Sequence, residues 1–161
     1  MHIYIALGSN LDPIRHLDKA LQLLTTIGVV QKISSRYWTE PLGGKEQPWY
    51  VNQVALLETA LTPPDLLAAL KHIEQALGRQ PRGHWDSREI DLDILLYENQ
   101  SIATLALQIP HPGLTKRRCV LVPMVEIAPN IIVPNTSQTI QQLLLDCSDR
   151  LQVKLYEPSQ T

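Results

Sequence analysis

Residues 88–96 read Arg-Glu-Ile-Asp-Leu-Asp-Ile-Leu-Leu. Apolar and acidic residues alternate through this run, and a β-strand is the element that puts alternate residues on opposite faces. The pattern expects Ile90, Leu92, Ile94 and Leu96 on a core face. Asp91 and Asp93 then share the other face, their Cα atoms roughly 7 Å apart at a rise of about 3.3 Å per residue. A chain with this strand must bury one side of a sheet and display an acidic pair on the other. Two carboxylates that close repel unless positive charge lies between them. Mg²⁺ meets that need, since it takes one or two carboxylates plus water and substrate phosphates. Two such ions can clamp both ends of an in-line phosphoryl displacement. An Asp-x-Asp pair also suits a plain solvated strand face, so its neighbours must decide.

Those neighbours are cationic. Arg79, Arg82, His84 and Arg88 precede the aspartates, and His111, Lys116, Arg117 and Arg118 follow them. The chain as a whole carries a net charge of −2, which argues against broad attraction to nucleic acid or membrane. Phosphate affinity must therefore be local. Arginine matches phosphate oxygens with a rigid fork, and lysine adds a point charge. No G-x-x-x-x-G-K-[ST] loop occurs, so the chain is not a P-loop nucleotide binder.

The flanking elements follow from periodicity. Residues 3–7 form a short apolar strand ended by Gly8-Ser9-Asn10. Asp12-Pro13 opens a helix with Asp12 as N-cap, Ile14, Leu17, Leu21 and Leu24 line its apolar face, and Gly28 closes it. Residues 29–38 are expected as one strand, 39–49 as a loop rich in Pro and Gly, and 50–58 as a strand. Thr62 caps the next helix, with Asp65 at the capping-box position; Leu66, Leu67, Leu70, Ile73 and Leu77 form its core stripe. After a loop over 79–87 and the acidic strand over 89–97, a short strand over 105–109, a turn at 110–112 and helices over 115–126 and 137–145 are expected. The order β-α-β-β-α-β is the split βαβ pattern of ferredoxin-like folds. The fold class is α+β: a mainly antiparallel sheet with helices on one face and a C-terminal helical or hairpin extension.

The 161 residues suit a single domain spanning 1–161. Cys119 and Cys147 have no redox or zinc spacing and read as reduced thiols. No secretory signal and no apolar run of membrane-spanning length is expected, which reads as a cytoplasmic protein. Phe is absent, so aromatic contacts must come from three Trp and five Tyr. Tyr50 and Asn52 share a face of their strand. A flat ring beside an amide suits a flat heterocycle with hydrogen-bonding edges, although such a pair also serves ordinary packing.

These residues together resemble the 6-hydroxymethyl-7,8-dihydropterin pyrophosphokinase family. The runs that carry the resemblance are Ala6-Leu7-Gly8-Ser9-Asn10-Leu11, Tyr37-Trp38-Thr39-Glu40-Pro41-Leu42-Gly43 and Gln47-Pro48-Trp49-Tyr50-Val51-Asn52. Ile73-Glu74, Gly78-Arg79, Trp85-Asp86-Ser87-Arg88-Glu89-Ile90-Asp91-Leu92-Asp93-Ile94-Leu95, Ile109-Pro110-His111-Pro112, Arg117 and Pro123-Met124-Val125-Glu126-Ile127-Ala128-Pro129 complete the collinear set.

The resemblance implies an ATP-dependent transfer of pyrophosphate to the hydroxymethyl group of a reduced pterin, releasing AMP, in folate biosynthesis. It implies two Mg²⁺ ions on Asp91 and Asp93, which with Arg82 and Arg88 form the catalytic set. ATP would meet Leu67, Lys71, Glu74, Arg79, Trp85, Arg88, Ile94, His111 and Arg117. The pterin would meet Thr39, Leu42, Tyr50, Asn52, Trp85 and Cys119. ATP and the pterin are the implied partners, and a monomer is the implied state. The chain departs from the family pattern at Cys119, where a Phe usually stacks on the pterin, at Asp86 in place of Gly, and at His84 in place of Arg.

Overall fold

The computed structural model describes residues 1–42, 46–81 and 86–158. Its elements are β1 (His2–Ser9), α1 (Pro13–Leu24), β2 (Val29–Ile33), β3 (Tyr37–Thr39), β4 (Tyr50–Glu58), α2 (Pro63–Ala76), β5 (Asp91–Tyr97), β6 (Ile102–Ala103), β7 (Gln108–Ile109), α3 (Arg118–Ile127), α4 (Ile140–Leu145) and β8 (Val153–Leu155). The main sheet runs β5-β1-β4-β3-β8, with β2 also paired to β4, and its pairings are antiparallel. With β2 and β3 taken as one interrupted strand, β1 to β5 with α1 and α2 make the ferredoxin-like βαββαβ core, and the class is α+β.

The interruption departs from the single strand expected over 29–38. Ser34 is buried and serves β4 with its side chain as well as its backbone. Its N–H donates to Val54 O at 2.8 Å, and its Oγ accepts from Val54 N at 2.9 Å. One residue thus takes both ladder bonds at that point, and the chain resumes pairing at Tyr37.

α1 begins at Pro13 as expected, but Asp12 does not cap it. Asp12 has φ 48°, and its carboxylate receives Arg15 Nε at 2.6 Å instead. Thr62 does cap α2, accepting from Asp65 N at 3.4 Å. The strand expected over 105–109 is a small hairpin of β6 and β7. The two expected C-terminal helices begin later than read, at Arg118 and Ile140. Thr139 closes a full capping box on α4 with Gln142.

Two cores flank the sheet. Ile3, Ile5, Leu7, Val51, Leu57, Leu92 and Ile94 pack against Leu17, Leu24, Leu66 and Leu70 of α1 and α2. Truncating a fully buried leucine such as Leu17 or Leu66 to Ala costs about 2–5 kcal/mol. Val54, Leu95 and Leu96 pack on the opposite side with Leu121, Met124, Ile140 and Leu143 of α3 and α4. Helices therefore cover both faces, not one, because α3 and α4 fold back over the sheet.

Leu96 lies in the second core, against expectation. Ile5 pairs with Ile94 but Tyr4 pairs with Leu96, so Leu95 is an extra residue in β5. The bulge switches the alternation: Leu95 and Leu96 face the second core, and Tyr97 returns to the first. β8 was not expected. It extends the edge beyond β3 and braces the following loop: Glu40 exchanges hydrogen bonds with Gln152, and Lys154 Nζ sits 5.6 Å over the Trp49 ring.

Candidate functional site

α3 and α4 cover only part of their face of the sheet. At the other end of that face the central strand carries Ala6 and Gly8. Register places Gly8 between Asn52 of β4 and Asp91 of β5, and Ala6 between Val54 and Asp93. Cross-strand partners share a face. Small residues on β1 thus make the floor of a cleft, with an amide on one side and two carboxylates on the other.

The cleft encloses a cavity of about 470 Å³, a size suited to a small ligand. Thr39, Leu42, Tyr50, Asn52, Arg88, Asp91, Asp93, His111, Arg117 and Cys119 all border it, so ten of the residues singled out from sequence converge there. A second cavity of about 320 Å³ is bordered by Lys71, Glu74, Arg79 and Arg88. Arg88 borders both.

Two residues assigned to the nucleotide by resemblance border neither cavity. Ile94 is 3% exposed within the first core, and Leu67 packs against that core from α2. Ile94 has the parity of Leu92, which turns its side chain to the helices rather than to the cleft. Arg82, His84 and Trp85 lie outside the described residues.

The wall between the cavities is ionic. Arg79 Nη1 lies 2.7 Å from Glu74 Oε2 and 3.0 Å from Asp91 Oδ1. Glu74 is buried on α2, and its Oε2 also accepts Leu92 N–H at 2.8 Å, joining the helix to the acidic strand. Burial raises the Glu74 pKa, opposed by the Leu92 amide and by Arg79.

Asp93 is pushed up to about 7 by removal from water and then by Asp91 and Glu74. Its side chain still shows 44% of its surface to the cleft. Water there softens the shift, but its upward direction is what two neighbouring carboxylates require.

His111 follows the cis Ile109–Pro110 peptide, and its N–H donates to Leu95 O at 3.0 Å. Gly113 N–H donates to His111 Nδ1 at 2.9 Å, which makes Nδ1 an acceptor. The proton is then on Nε2, the atom 4.0 Å from Asp93 Oδ1. Burial and the nearby Arg117 lower the His111 pKa. His111 is thus a neutral N–H donor and not a cation.

On the opposite wall, Asn52 Nδ2 donates to Thr39 Oγ1 at 2.6 Å. Among the described residues its Oδ1 and second N–H make no further hydrogen bond, leaving an acceptor and a donor side by side. Tyr50 OH donates to Asp86 O at 2.8 Å, and burial raises its pKa. Burial likewise raises the Cys119 thiol.

Two bordering residues, Glu40 and Asp86, have no site role in the sequence reading, and Lys116 is named there only within a basic run. Glu40 and Asp86 border the first cavity, and Lys116 joins Arg117 there, whereas Arg118 borders neither cavity. Lys116 belonged to a recognisable basic run, but nothing local separates it from Arg118. The turn over 111–117 makes that choice.

The donor set fits a hard cation brought in with a phosphate ligand. Two carboxylates face the cleft beside phosphate-matching arginines, and the carboxyl of one is held high by burial first and by its acidic neighbours second. Among the described residues no three His, Cys, Asp or Glu side chains gather into a protein-only metal cage, which leaves coordination positions to water and substrate oxygens.

Comparisons with known proteins agree with this chemistry. The family model for 7,8-dihydro-6-hydroxymethylpterin-pyrophosphokinase (HPPK) matches residues 4–129. The chain is 43% identical over 155 residues to a 2-amino-4-hydroxy-6-hydroxymethyldihydropteridine pyrophosphokinase of Haemophilus influenzae, covering 94% of this chain and 96% of that protein. It is 41% identical over 133 residues to the Aquifex aeolicus protein of the same name, covering 82% and 83%. A solved HPPK-DHPS chain in complex with substrates matches with a TM-score of 0.70 at 15% identity, which speaks to the fold; the match covers 89% of this chain and 43% of that one. Residues 4–129 carry the family pattern and two relatives match along most of their length: the chain belongs to the 7,8-dihydro-6-hydroxymethylpterin-pyrophosphokinase family.

Proposed function

We propose that this chain transfers pyrophosphate from ATP to the hydroxymethyl group of 6-hydroxymethyl-7,8-dihydropterin, giving the pterin diphosphate and AMP. The observation that carries the reading is the pair of adjoining cavities that share Arg88, with Asp91 and Asp93 at the edge of the larger one. Two substrates must meet in this reaction, and a bimolecular transfer gains most from holding them side by side.

The larger cavity takes the pterin. Asn52 offers a donor and an acceptor in one plane to the amide-like edge of the heterocycle, held by its bond to Thr39. Tyr50, Leu42 and Cys119 enclose it, and Trp85 is assigned to it by resemblance. The smaller cavity takes the nucleotide against Lys71, Glu74, Arg79 and Arg88. The triphosphate then crosses toward Arg88, His111, Lys116 and Arg117. His111, as a neutral Nε2–H, donates to a phosphate oxygen without adding charge, while the arginines and lysine supply it.

Asp91 and Asp93 are the residues that would hold two Mg²⁺ ions with the phosphates. Bound there, such ions neutralise charge on the migrating group and acidify the acceptor hydroxyl. The hydroxymethyl O–H gives up its proton to solvent, its oxygen forms a bond to the β-phosphorus, the bond from that phosphorus to the α–β bridging oxygen breaks, and AMP leaves. Arg88 bridges both cavities and so stays with the group as it moves; Arg82 is assigned beside it. Positioning and charge placement carry most of the rate in such transfers.

Residues 1–161 act as one domain in this reading, and β8 supports it by returning the C-terminal segment to the sheet. Among the described residues no helix is long and apolar enough to cross a membrane. The reading places the protein in the cytoplasm as a monomer. The test incubates purified protein with ATP, Mg²⁺ and the pterin and follows AMP. AMP formed in step with pterin diphosphate supports the function; nucleotide binding with no AMP overturns it in favour of a binding module.

A further inference from the structure

Asn10 borders neither cavity, yet it joins the three segments that frame them. It is 3% exposed. Its Oδ1 accepts Arg88 N–H at 2.9 Å, and its own N–H donates to Arg88 O at 3.1 Å. Its Nδ2 donates to Pro48 O at 2.9 Å and Gln47 Oε1 at 3.1 Å, with Ser87 Oγ at 3.3 Å. Ser87 Oγ closes the ring by donating to Gln47 Oε1 at 3.0 Å.

We propose that Asn10 is a positioning residue for the transfer: it locks the segments at 46–48 and 86–88 to the end of β1 and so sets the backbone from which Arg88 reaches both cavities. This rests on the proposed function of the cleft. The chemistry demands an amide. One side must accept from Arg88 N–H and the other must donate to two oxygens, and asparagine does both within one short planar group. Aspartate has the same shape but would turn an acceptor toward Pro48 O and Gln47 Oε1. Leucine has a similar size and could do neither.

The segment at 86–88 also receives Tyr50 OH at Asp86 O. It is thus held from β1 and from β4 at once, and through Arg88 it borders both cavities. A fixed Arg88 backbone matters more to transfer than to binding one substrate, since small misplacements of a reacting group cost rate steeply.

The test compares the parent with Asn10→Asp and Ser87→Ala in three measurements: kcat and KM for AMP formation, Mg·ATP dissociation, and backbone hydrogen exchange. Asn10→Asp is expected to lower kcat about 100-fold while Mg·ATP affinity stays within about threefold, a split that a general loss of fold does not give. Exchange should rise at 46–48 and 86–88 and stay low in the cores. Ser87→Ala removes the hydroxyl that ties the 86–88 segment to Asn10 Nδ2 and Gln47 Oε1, so it loosens the same lock and should fold normally with kcat reduced several-fold. Parental kcat in Ser87→Ala overturns the proposal, even if Asn10→Asp fails to fold. So does Asn10→Asp with faster exchange in those segments but parental kcat. A parent that forms no AMP fails the proposed function instead, and the exchange measurement still reports whether Asn10 locks the segments.

Discussion

Gly8 lies directly beneath Asn52: a Cβ placed on Gly8 would come 2.5 Å from Asn52 Oδ1. The two are register partners across β1 and β4, so the amide rests on the glycine as on a bare shelf. Gly8→Ala must push Asn52 off its bond to Thr39 or twist the strand. The expected result is a rise of about 10–100-fold in the pterin dissociation constant, equal to roughly 1.4–2.8 kcal/mol. Mg·ATP affinity should be retained, because Lys71 and Glu74 belong to the other cavity. Calorimetric titration of each substrate checks both halves.

Asp93→Asn should abolish turnover and yet stabilise the protein without ligand. The Asp93 carboxyl is raised from 3.8 to about 7 in the folded chain. The folded state therefore holds a proton that the unfolded state has released, and stability falls as pH rises from about 4 to 7, then levels off. An amide at this position removes that penalty. Water in the cleft discounts it to the order of 1 kcal/mol, so the substitution should raise Tm by about 2–4 °C at pH 8 and by almost nothing at pH 4. Thermal melts across pH, without nucleotide or Mg²⁺, decide the matter; equal curves at pH 8 would count against the charge crowding.

His111 should titrate below the ordinary histidine value of 6.5. Its charged form would have to donate from Nδ1 toward the Gly113 N–H that already donates there. The unfolded chain then binds the proton more readily, so this group costs stability as pH falls below about 6.5. Nitrogen-detected spectra of the imidazole at pH 7 should show the neutral form protonated on Nε2. A charged ring at that pH would contradict the geometry.

Cys119→Phe should tighten pterin binding. Cys119 borders the larger cavity, and a ring there would add a stacking face worth roughly 1 kcal/mol beyond the area it buries. That corresponds to about a fivefold lower dissociation constant. Fluorescence titration of the pterin measures it; weaker binding would mean that the cavity needs the smaller side chain.

The core of the fold could be read from local patterns. Periods of 3.6 and 2 marked α1, α2, β1, β4 and β5, and their order pointed to the βαββαβ class. What escaped was set by contacts distant in sequence. The break at Ser34 depends on Val54, β8 depends on β3, and the covering of the second face depends on α3 and α4 meeting Leu95 and Leu96. The candidate site was legible where charge was unusual for a strand, at Asp91 and Asp93. It was not legible at Asn10, whose partners lie 37 to 78 positions away and whose local setting looks like an ordinary strand end. Ile94, which the resemblance assigns to the nucleotide, has its side chain in the first core.

The extra residue in β5 gives that strand a fixed reading frame. The acidic pair stands before Leu95 and the second core begins at it, while the Leu95 carbonyl also takes the His111 N–H. One added or deleted residue between Asp93 and Tyr97 would slide the histidine against its aspartate and exchange the two cores in a single step. Substitutions in this stretch can be absorbed one side chain at a time, but its length is a gauge that variants of the enzyme must keep.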